Sequence, residues 1–264
     1  MYFNATLKVG SILLFLSLSI QVFSQNVYSI FENLPENAVS NNISMLGEFD
    51  NRLLFFDDVA GVRKLWLSDG TPVGTFPLEP SGQTSIALAS RQDDAMYFLE
   101  RRGADFVVSA LPVGMSELQP VFTQPDIKLI LLWNDNFYFT RFKTGSSSSD
   151  ELVKYDPVAQ TFAVLFTSGF GGIKGLSATN NEVIFIANTA EGKMLGKTDG
   201  TLANTTTYHT LYPAGSEFGQ QVYMNTDGEK MYFFYHPNNT PYNLWVTDGT
   251  STGTQILETY EFPA

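Results

Sequence analysis

Few residues in this 264-residue chain have the chemistry of an active site. It contains two histidines and no cysteine. His209 lies in a run typical of a strand, and His236 precedes a proline. A zinc site needs several His or Cys ligands close together, and no such group is present. No serine stands in a pattern that marks a nucleophile. These residues therefore predict no metal, no cofactor and no Ser-His catalysis.

Paired carboxylates are the remaining route to an enzyme, because glycosidases use two acids across one central site. Four acids stand in places that could supply such a pair: Glu48, Asp94, Asp135 and Glu182. Each lies at or near a turn pair that recurs along the chain, and turns favour acidic residues for their own hydrogen bonding. A secreted carbohydrate-active enzyme, resembling a five-bladed glycosidase, stays open as the alternative function.

The N-terminus predicts export. Lys8 precedes the apolar run 12–20, which is too short to span a bilayer, and Ser24-Gln25 offers a cleavage site. Residues 1–24 are therefore predicted to be a signal peptide, which places the protein at the cell surface or in the medium. Their removal leaves 14 basic and 27 acidic residues, a net charge of −13. Such a charge disfavours nucleic acid and anionic membranes, and no later segment predicts membrane insertion.

An eleven-residue phrase occurs twice, as LWLSDGTPVGT at 65–75 and LWVTDGTSTGT at 244–254. Ahead of each phrase stands a turn followed by an aromatic-rich run, and that pattern occurs three more times between them. The matched aromatics are spaced by 43, 41, 46 and 48 residues, and they are Phe55, Phe98, Phe139, Phe185 and Phe233. A period of this size indicates a repeat architecture. The predicted repeats cover 43–84, 85–126, 127–172, 173–219 and 220–264.

Each repeat holds four strand candidates, and no stretch has a convincing helical period. The second candidate of a repeat, such as Val183-Ile184-Phe185-Ile186, is apolar on both faces. Both of its faces must then be covered, as they are when neighbouring sheets stack. We therefore predict an all-β protein, a β-propeller of about five four-stranded blades. The sequence is compatible with a closed ring and with an open or truncated arc. The extension 25–42 contains a possible closing strand, Asn26–Phe31.

The repeated phrase is predicted to be a structural turn between the third and fourth strands. Asp-Gly is a strong hairpin signal, since glycine reaches positive φ and the Asp carboxylate accepts backbone N–H groups. The residues with this predicted role are Asp69, Gly70, Thr71, Gly74, Asp199, Gly200, Thr201, Asp248, Gly249, Thr250 and Gly253. Calcium binding by the aspartates is the alternative, although each turn offers one acid where a calcium loop has several.

The phrase resembles the ELWxxDGTxxGT repeat found in exported proteins of Bacteroidetes and related bacteria. The match is strong at 65–75 and 244–254, partial at 194–201, and absent from the second and third repeats. The usual Glu before the Leu is Lys64 in the first copy and Asn243 in the last. The resemblance implies an exported propeller and no catalytic residues. We expect a non-catalytic binding or scaffolding module whose partner is an unknown protein or glycan.

Overall fold

Short strands and turns alternate through all the residues that the computed structural model describes, which are 43–59, 62–78, 85–91, 94–214, 222–235 and 242–260. These ranges contain twenty strands in five sheets. No helix in them is long and apolar enough to cross a membrane. The predicted signal peptide and the extension 25–42, with its candidate strand, lie outside these ranges.

Each sheet is an antiparallel meander of four consecutive strands. Sheet one contains β1 (Ile43–Phe49), β2 (Arg52–Val59), β3 (Val62–Ser68) and β4 (Thr75–Pro77). Sheet two contains β5 (Ser85–Arg91), β6 (Ala95–Arg102), β7 (Asp105–Pro112) and β8 (Gln119–Pro125). Sheet three contains β9 (Leu129–Trp133), β10 (Asn136–Phe142), β11 (Asp150–Asp156) and β12 (Thr161–Thr167). Sheet four contains β13 (Ile173–Ala178), β14 (Val183–Thr189), β15 (Gly192–Thr198) and β16 (Thr206–Pro213). Sheet five contains β17 (Val222–Thr226), β18 (Met231–Tyr235), β19 (Tyr242–Thr247) and β20 (Gln255–Tyr260).

This architecture confirms the five predicted repeats of four strands. In sheets one and three, the turn between the first and second strands is a tight two-residue hairpin. Asp50-Asn51 and Asn134-Asp135 all have φ between 47° and 58°. Two successive residues in this region suit a two-residue hairpin, and Asn and Asp tolerate it better than other non-glycine residues. The backbone conformation therefore accounts for the acidic and amide residues at these positions.

The five matched aromatics lie on the same face of their sheets, which we call the leading face because it points towards the preceding sheet. Four of them pack on that preceding sheet. Phe98 contacts the cluster of Leu54 and Phe56, and Phe233 contacts that of Ile184. Phe139 packs beside Phe122 of sheet two, and Phe185 beside Phe166 of sheet three. The opposite, trailing face of each sheet receives the next one.

Four core clusters join the five sheets, between sheets one and two, two and three, three and four, and four and five. No cluster of the described residues joins sheet five to sheet one; below, the arc means the five sheets in this order, each stacked on the next. We predicted that the second strand of each sheet is covered on both faces. This prediction is confirmed for β14, whose first six residues are all buried. In β18 it holds for one face only, since Phe234 on the trailing face is 36% exposed.

Replacing Phe139 by alanine should lower the free energy of unfolding by about 3–5 kcal/mol, because a fully buried ring is lost from between two sheets. Chemical denaturation measures this loss. The matched control is Val158→Ala, at a side chain that is 93% exposed, and it should change the stability by less than about 0.5 kcal/mol. Equal effects of the two substitutions would contradict the stacked arrangement of the blades.

Candidate functional site

The meander places two kinds of turn at opposite ends of the blades. The turns from first to second strand and from third to fourth strand share one end, which we call the motif end because the Asp-Gly turns lie there. The turns from second to third strand share the other end with the links between sheets. We call this other end the polar end, because it holds most of the buried charged side chains. The first strands of sheets two to five lie side by side, so they are the innermost strands of the arc.

The Asp-Gly turn is built from hydrogen bonds within its own eight residues. Asp69 Oδ1 accepts from the backbone N–H of Thr71 at 2.9 Å and from the Thr71 hydroxyl at 2.7 Å. Thr71 Oγ1 in turn accepts the N–H of Gly74 at 3.0 Å. Beneath the turn, the hydroxyls of Ser68 and Thr75 are 2.6 Å apart, and Ser68 Oγ accepts the N–H of Gly70. The turn therefore satisfies its polar groups internally.

The same network recurs in sheets four and five. Asp199 accepts from Thr201, and Asp248 from Thr250, at the same 2.9 and 2.7 Å. The paired hydroxyls recur as Thr198 with Thr205 and Thr247 with Thr254, each at 2.7 Å. All the predicted turn residues thus lie in these three turns, either as members of the hydrogen-bond networks or as part of the turn backbone.

Sequence reasoning missed the hydroxyl pairs below the turns. The signal was present in the sequence: a Ser or Thr precedes each Asp-Gly, and a Thr follows that Ser or Thr by seven residues.

The first glycine of the turn has a second role, which is close approach to the preceding sheet. Gly70, Gly200 and Gly249 all have φ between 84° and 93°. A Cβ on Gly200 would overlap the Tyr138 hydroxyl, and one on Gly249 would overlap the Glu182 carboxylate. A Cβ on Gly70 would meet nothing within 4 Å in the described part of the chain. The turn therefore braces a blade against its predecessor in sheets four and five, and in sheet one it has no such neighbour among the described residues.

The turn aspartates show no sign of a shared metal site. Among the described residues no three His, Cys, Asp or Glu side chains converge in a way that could hold an ion. The pKa values of Asp69 and Asp248 are lowered chiefly by the hydroxyl of the threonine in the same turn. For Asp199 the largest cause is the Asn204 side chain, followed by Thr201. Each carboxylate is thus held by its own turn.

The four carboxylates considered for glycoside cleavage are not brought together in a buried pair. Glu48, Asp94 and Asp135 are exposed at their hairpins, and Glu182 forms an ion pair with Lys197 at 3.1 Å. The first strands of the five sheets, which are β1, β5, β9, β13 and β17, contain one carboxylate among their described residues, Glu48. A pair of buried acids facing one another across the middle of the arc is therefore absent from these strands.

The polar end holds a buried network between sheets three and four. Asp150, which is 2% exposed, forms an ion pair with Lys128 and accepts the backbone N–H of Ile173 at 2.9 Å. The Lys128 ammonium also lies 3.3 Å from the centre of the Phe142 ring. One carboxylate thereby connects the start of β11 to the links before β9 and β13. A buried carboxylate is costly unless it is paired in this way.

Other buried or half-buried carboxylates at the polar end are also paired with cations. Glu100, which is fully buried, accepts from Arg102 at 2.8 Å. Glu151 accepts from Arg141, whose other terminal nitrogen donates to the side chain of Gln124 at 2.7 Å. Sequence reasoning missed these contacts, since they carry no motif. Each ion pair lies within one repeat, whereas the hydrogen bonds from Ile173 to Asp150 and from Arg141 to Gln124 connect neighbouring blades.

His209 is the histidine that falls within the described residues. Its Nδ1 lies 3.2 Å from the Ser251 hydroxyl, and its ring packs edge-on against Trp245. Partial burial lowers its pKa. No described acid is seen to hydrogen bond with this ring, so the contact lacks the third member of a catalytic triad. Trp245 stacks on Phe233 and packs against sheet four.

No protein-family model matches the sequence, and no curated protein sequence matches it either. Solved structures do share the fold. Oligopeptidase B from Trypanosoma brucei has a TM-score of 0.61 at 13% identity, over 84% of this chain and 34% of the oligopeptidase. Oligogalacturonate lyase from Vibrio parahaemolyticus has a TM-score of 0.55 at 13% identity, over 81% of this chain and 64% of the lyase. TolB from Acinetobacter baumannii has a TM-score of 0.54 at 11% identity, over 89% of this chain and 57% of TolB.

These similarities show the fold alone, because the identities are low. The chain spans between about a third and two thirds of the length of these proteins. Together with the five stacked sheets, they establish that the chain is a β-propeller of about five four-stranded blades.

The two ends of the arc offer a matched test of the motif glycine. Gly249→Val should destabilise the protein more than Gly70→Val. Both substitutions strain the backbone by roughly 1–2 kcal/mol, since both glycines have positive φ. In sheet five the new side chain would also collide with Glu182, which adds about 1 kcal/mol or more. Thermal and chemical unfolding of the two variants measures the difference. Equal losses would mean that the turn does not brace the blades.

The turn aspartates should contribute to stability only while they are ionised. Their folded-state pKa values lie below the ordinary 3.8, so their contribution is present above that pH and disappears as the pH falls through the lowered values. The triple variant Asp69→Asn, Asp199→Asn, Asp248→Asn should therefore lose less stability than the wild type between pH 5 and about pH 2. Asp126→Asn, at an exposed aspartate outside the motif, should leave the wild-type acid profile unchanged. A triple variant with that same profile would contradict the network.

Proposed function

We propose that this protein is an exported, non-catalytic propeller that binds or scaffolds a protein or glycan partner at the cell surface or in the medium. The observation that carries the proposal is the composition of the first strands of the five sheets. Their described residues include one carboxylate, Glu48, and it is exposed. A glycosidase needs two carboxylates across one site, one of them held protonated.

The electrostatics of the described residues support the same proposal. A catalytic acid is normally raised in pKa by burial away from cations. Here the buried Glu100 and Asp150 each have a cationic partner. The carboxylates whose pKa values are shifted, such as Asp199 and Asp227, are all shifted downwards by hydrogen bonds. These groups are suited to holding turns and blades together rather than to donating a proton.

Export rests on the N-terminal sequence, and the partner class rests on charge. The pattern of Lys8, the apolar run and Ser24-Gln25 is that of a signal peptide. The net charge of −12 for the whole chain favours neutral or cationic partners over nucleic acid. The stacked blades provide a rigid scaffold, and the loops at their ends are where binding residues are commonly presented.

The test is a screen of the mature protein against a panel of polysaccharides with two readouts, retention of the protein and release of reducing ends. The protein is recovered from the medium or the cell-surface fraction, and mass spectrometry should find Gln25 as its first residue. We expect no release of reducing ends from any polysaccharide, whether or not one of them retains the protein. Release by the wild type that is lost in Glu48→Gln and kept in Asp126→Asn would establish the carbohydrate-active alternative.

A further inference from the structure

The fourth strands form the outer edges of the blades, because the first strands of sheets two to five lie side by side on the inside of the arc. Among the described residues, each fourth strand is the last strand of its sheet and pairs only with the third strand. An edge strand of this kind leaves one row of backbone N–H and C=O groups outside the sheet, which is a template for pairing with another chain.

Four of the five outer strands carry a feature that opposes such pairing. The strand β4 has three residues and ends at Pro77, and β8 contains Pro120 and Pro125. The strand β16 has two register shifts and ends at Pro213. The strand β20 carries a carboxylate, Glu258. Short length, proline, bulges and charge are the ordinary protections of edge strands.

The outer strand of sheet three, β12, has neither proline nor charge. Its sequence is TFAVLFT, and residues 157–173 around it include no charged side chain. Its first four residues are exposed, among them Phe162 at 42% and Val164 at 40%. The one register shift in its pairing with β11 comes after Val164, so the stretch 161–164 is regular. Uncharged segments of this composition are those that pair edge to edge.

The exposed apolar side chains of β12 are held in place by the sheet. Phe162 and Val164 pair with Tyr155 and Val153 and so lie on the leading face. The ring of Phe162 rests against Tyr155 and Phe122, with ring centres 4.6 and 5.8 Å apart. A ring that is already fixed on one side loses little freedom when a partner covers the other. The strand therefore presents a pre-organised aromatic beside a β-branched residue.

The chemistry of β12 favours a second copy of itself as the partner. In an antiparallel pair of two such strands centred on Ala163, Phe162 of each copy lies opposite Val164 of the other, on one face of the joined sheet. Aromatic and β-branched residues form favourable cross-strand pairs. Copies with a net charge of −12 repel one another, and an uncharged strand is where this repulsion opposes contact least. A cationic partner would favour an acidic surface instead.

We propose that β12 is a self-association edge, at which two copies of the protein pair their β12 strands antiparallel and join their third sheets into one continuous sheet. The interface is small, so the dimer is weak and reversible. Both ends of the blades stay accessible, and two linked copies hold a repetitive partner more tightly than one copy does. That gain in avidity rests on the proposed binding function, whereas the pairing itself does not.

Sedimentation of the mature protein at increasing concentration measures the pairing. We expect a monomer–dimer equilibrium that Ala163→Lys weakens by roughly tenfold or more, because it places two lysines opposite one another. The matched control is Thr206→Lys on β16, since Thr206 and Ala163 are both exposed and both lie opposite a lysine of the third strand. The control should leave the equilibrium unchanged. A wild type that stays monomeric at about 1 mM, or an Ala163→Lys variant that dimerises as well as the wild type, would overturn the proposal.

Cross-linking provides a second measurement, which the absence of cysteine makes direct. A short bis-maleimide should join Ala163→Cys into dimers, because the two Cα atoms at the centre of the pair would be ~5 Å apart. Thr206→Cys, at the matched position on β16, should be joined far less. An excess of wild-type protein should reduce the cross-linking of Ala163→Cys by forming mixed dimers. Equal yields from the two cysteine variants would overturn the proposal, and so would a wild-type dimer in which Ala163→Cys is not cross-linked.

Discussion

The stacking of one sheet on the next is the constraint on which the rest of this structure depends. A second strand such as β14 is apolar on both faces, so a single sheet would leave half of its large side chains in water. Face-to-face stacking removes this cost by burying a leading-face phenylalanine against the trailing face of the preceding blade. Phe98, Phe139, Phe185 and Phe233 make this contact in turn. The repeat period follows from it, because each blade must present the same two faces.

The two ends of the blades satisfy polar groups in different ways. At the motif end, each Asp-Gly turn completes its hydrogen bonds within a few residues and uses glycine to approach the preceding blade. At the polar end, carboxylates buried by the stacking are neutralised by lysine or arginine, as in the pair of Asp150 and Lys128. Burial of an unpaired charge would oppose the stacking. Both devices therefore serve the same packing.

The consequence for function is a rigid body in which most of the described titratable groups are engaged in contacts that hold the turns and blades together. Acids in the turns hold backbone N–H groups, and buried acids hold cations. A propeller of this kind can display loops at two ends without providing chemistry in the middle. The similarity to an oligopeptidase, a lyase and TolB at low identity shows the fold alone, because one fold serves many functions through the groups attached to it.

Local chemistry explains why sequence reasoning located all twenty strands and the motif turns. Alternation of apolar runs with Asp-Gly, Asn-Asp and similar pairs is decided within a few residues, and the spacing of Phe55, Phe98, Phe139, Phe185 and Phe233 exposes the repeat. The role of Asp69 as an acceptor in its own turn is equally local, since its partner Thr71 is two residues away.

The network at the polar end and the absence of a core cluster between the described first and last sheets were decided by the tertiary structure. Asp150 meets Lys128 and Ile173 across 22 and 23 residues, and no motif connects them. The number of blades that close a ring depends on the angle between stacked sheets, which is the sum of many side-chain contacts. The sequence by itself thus determined the repeating unit, because its strands and turns are local. Only the tertiary structure decided how the units meet, because that depends on packing between distant residues.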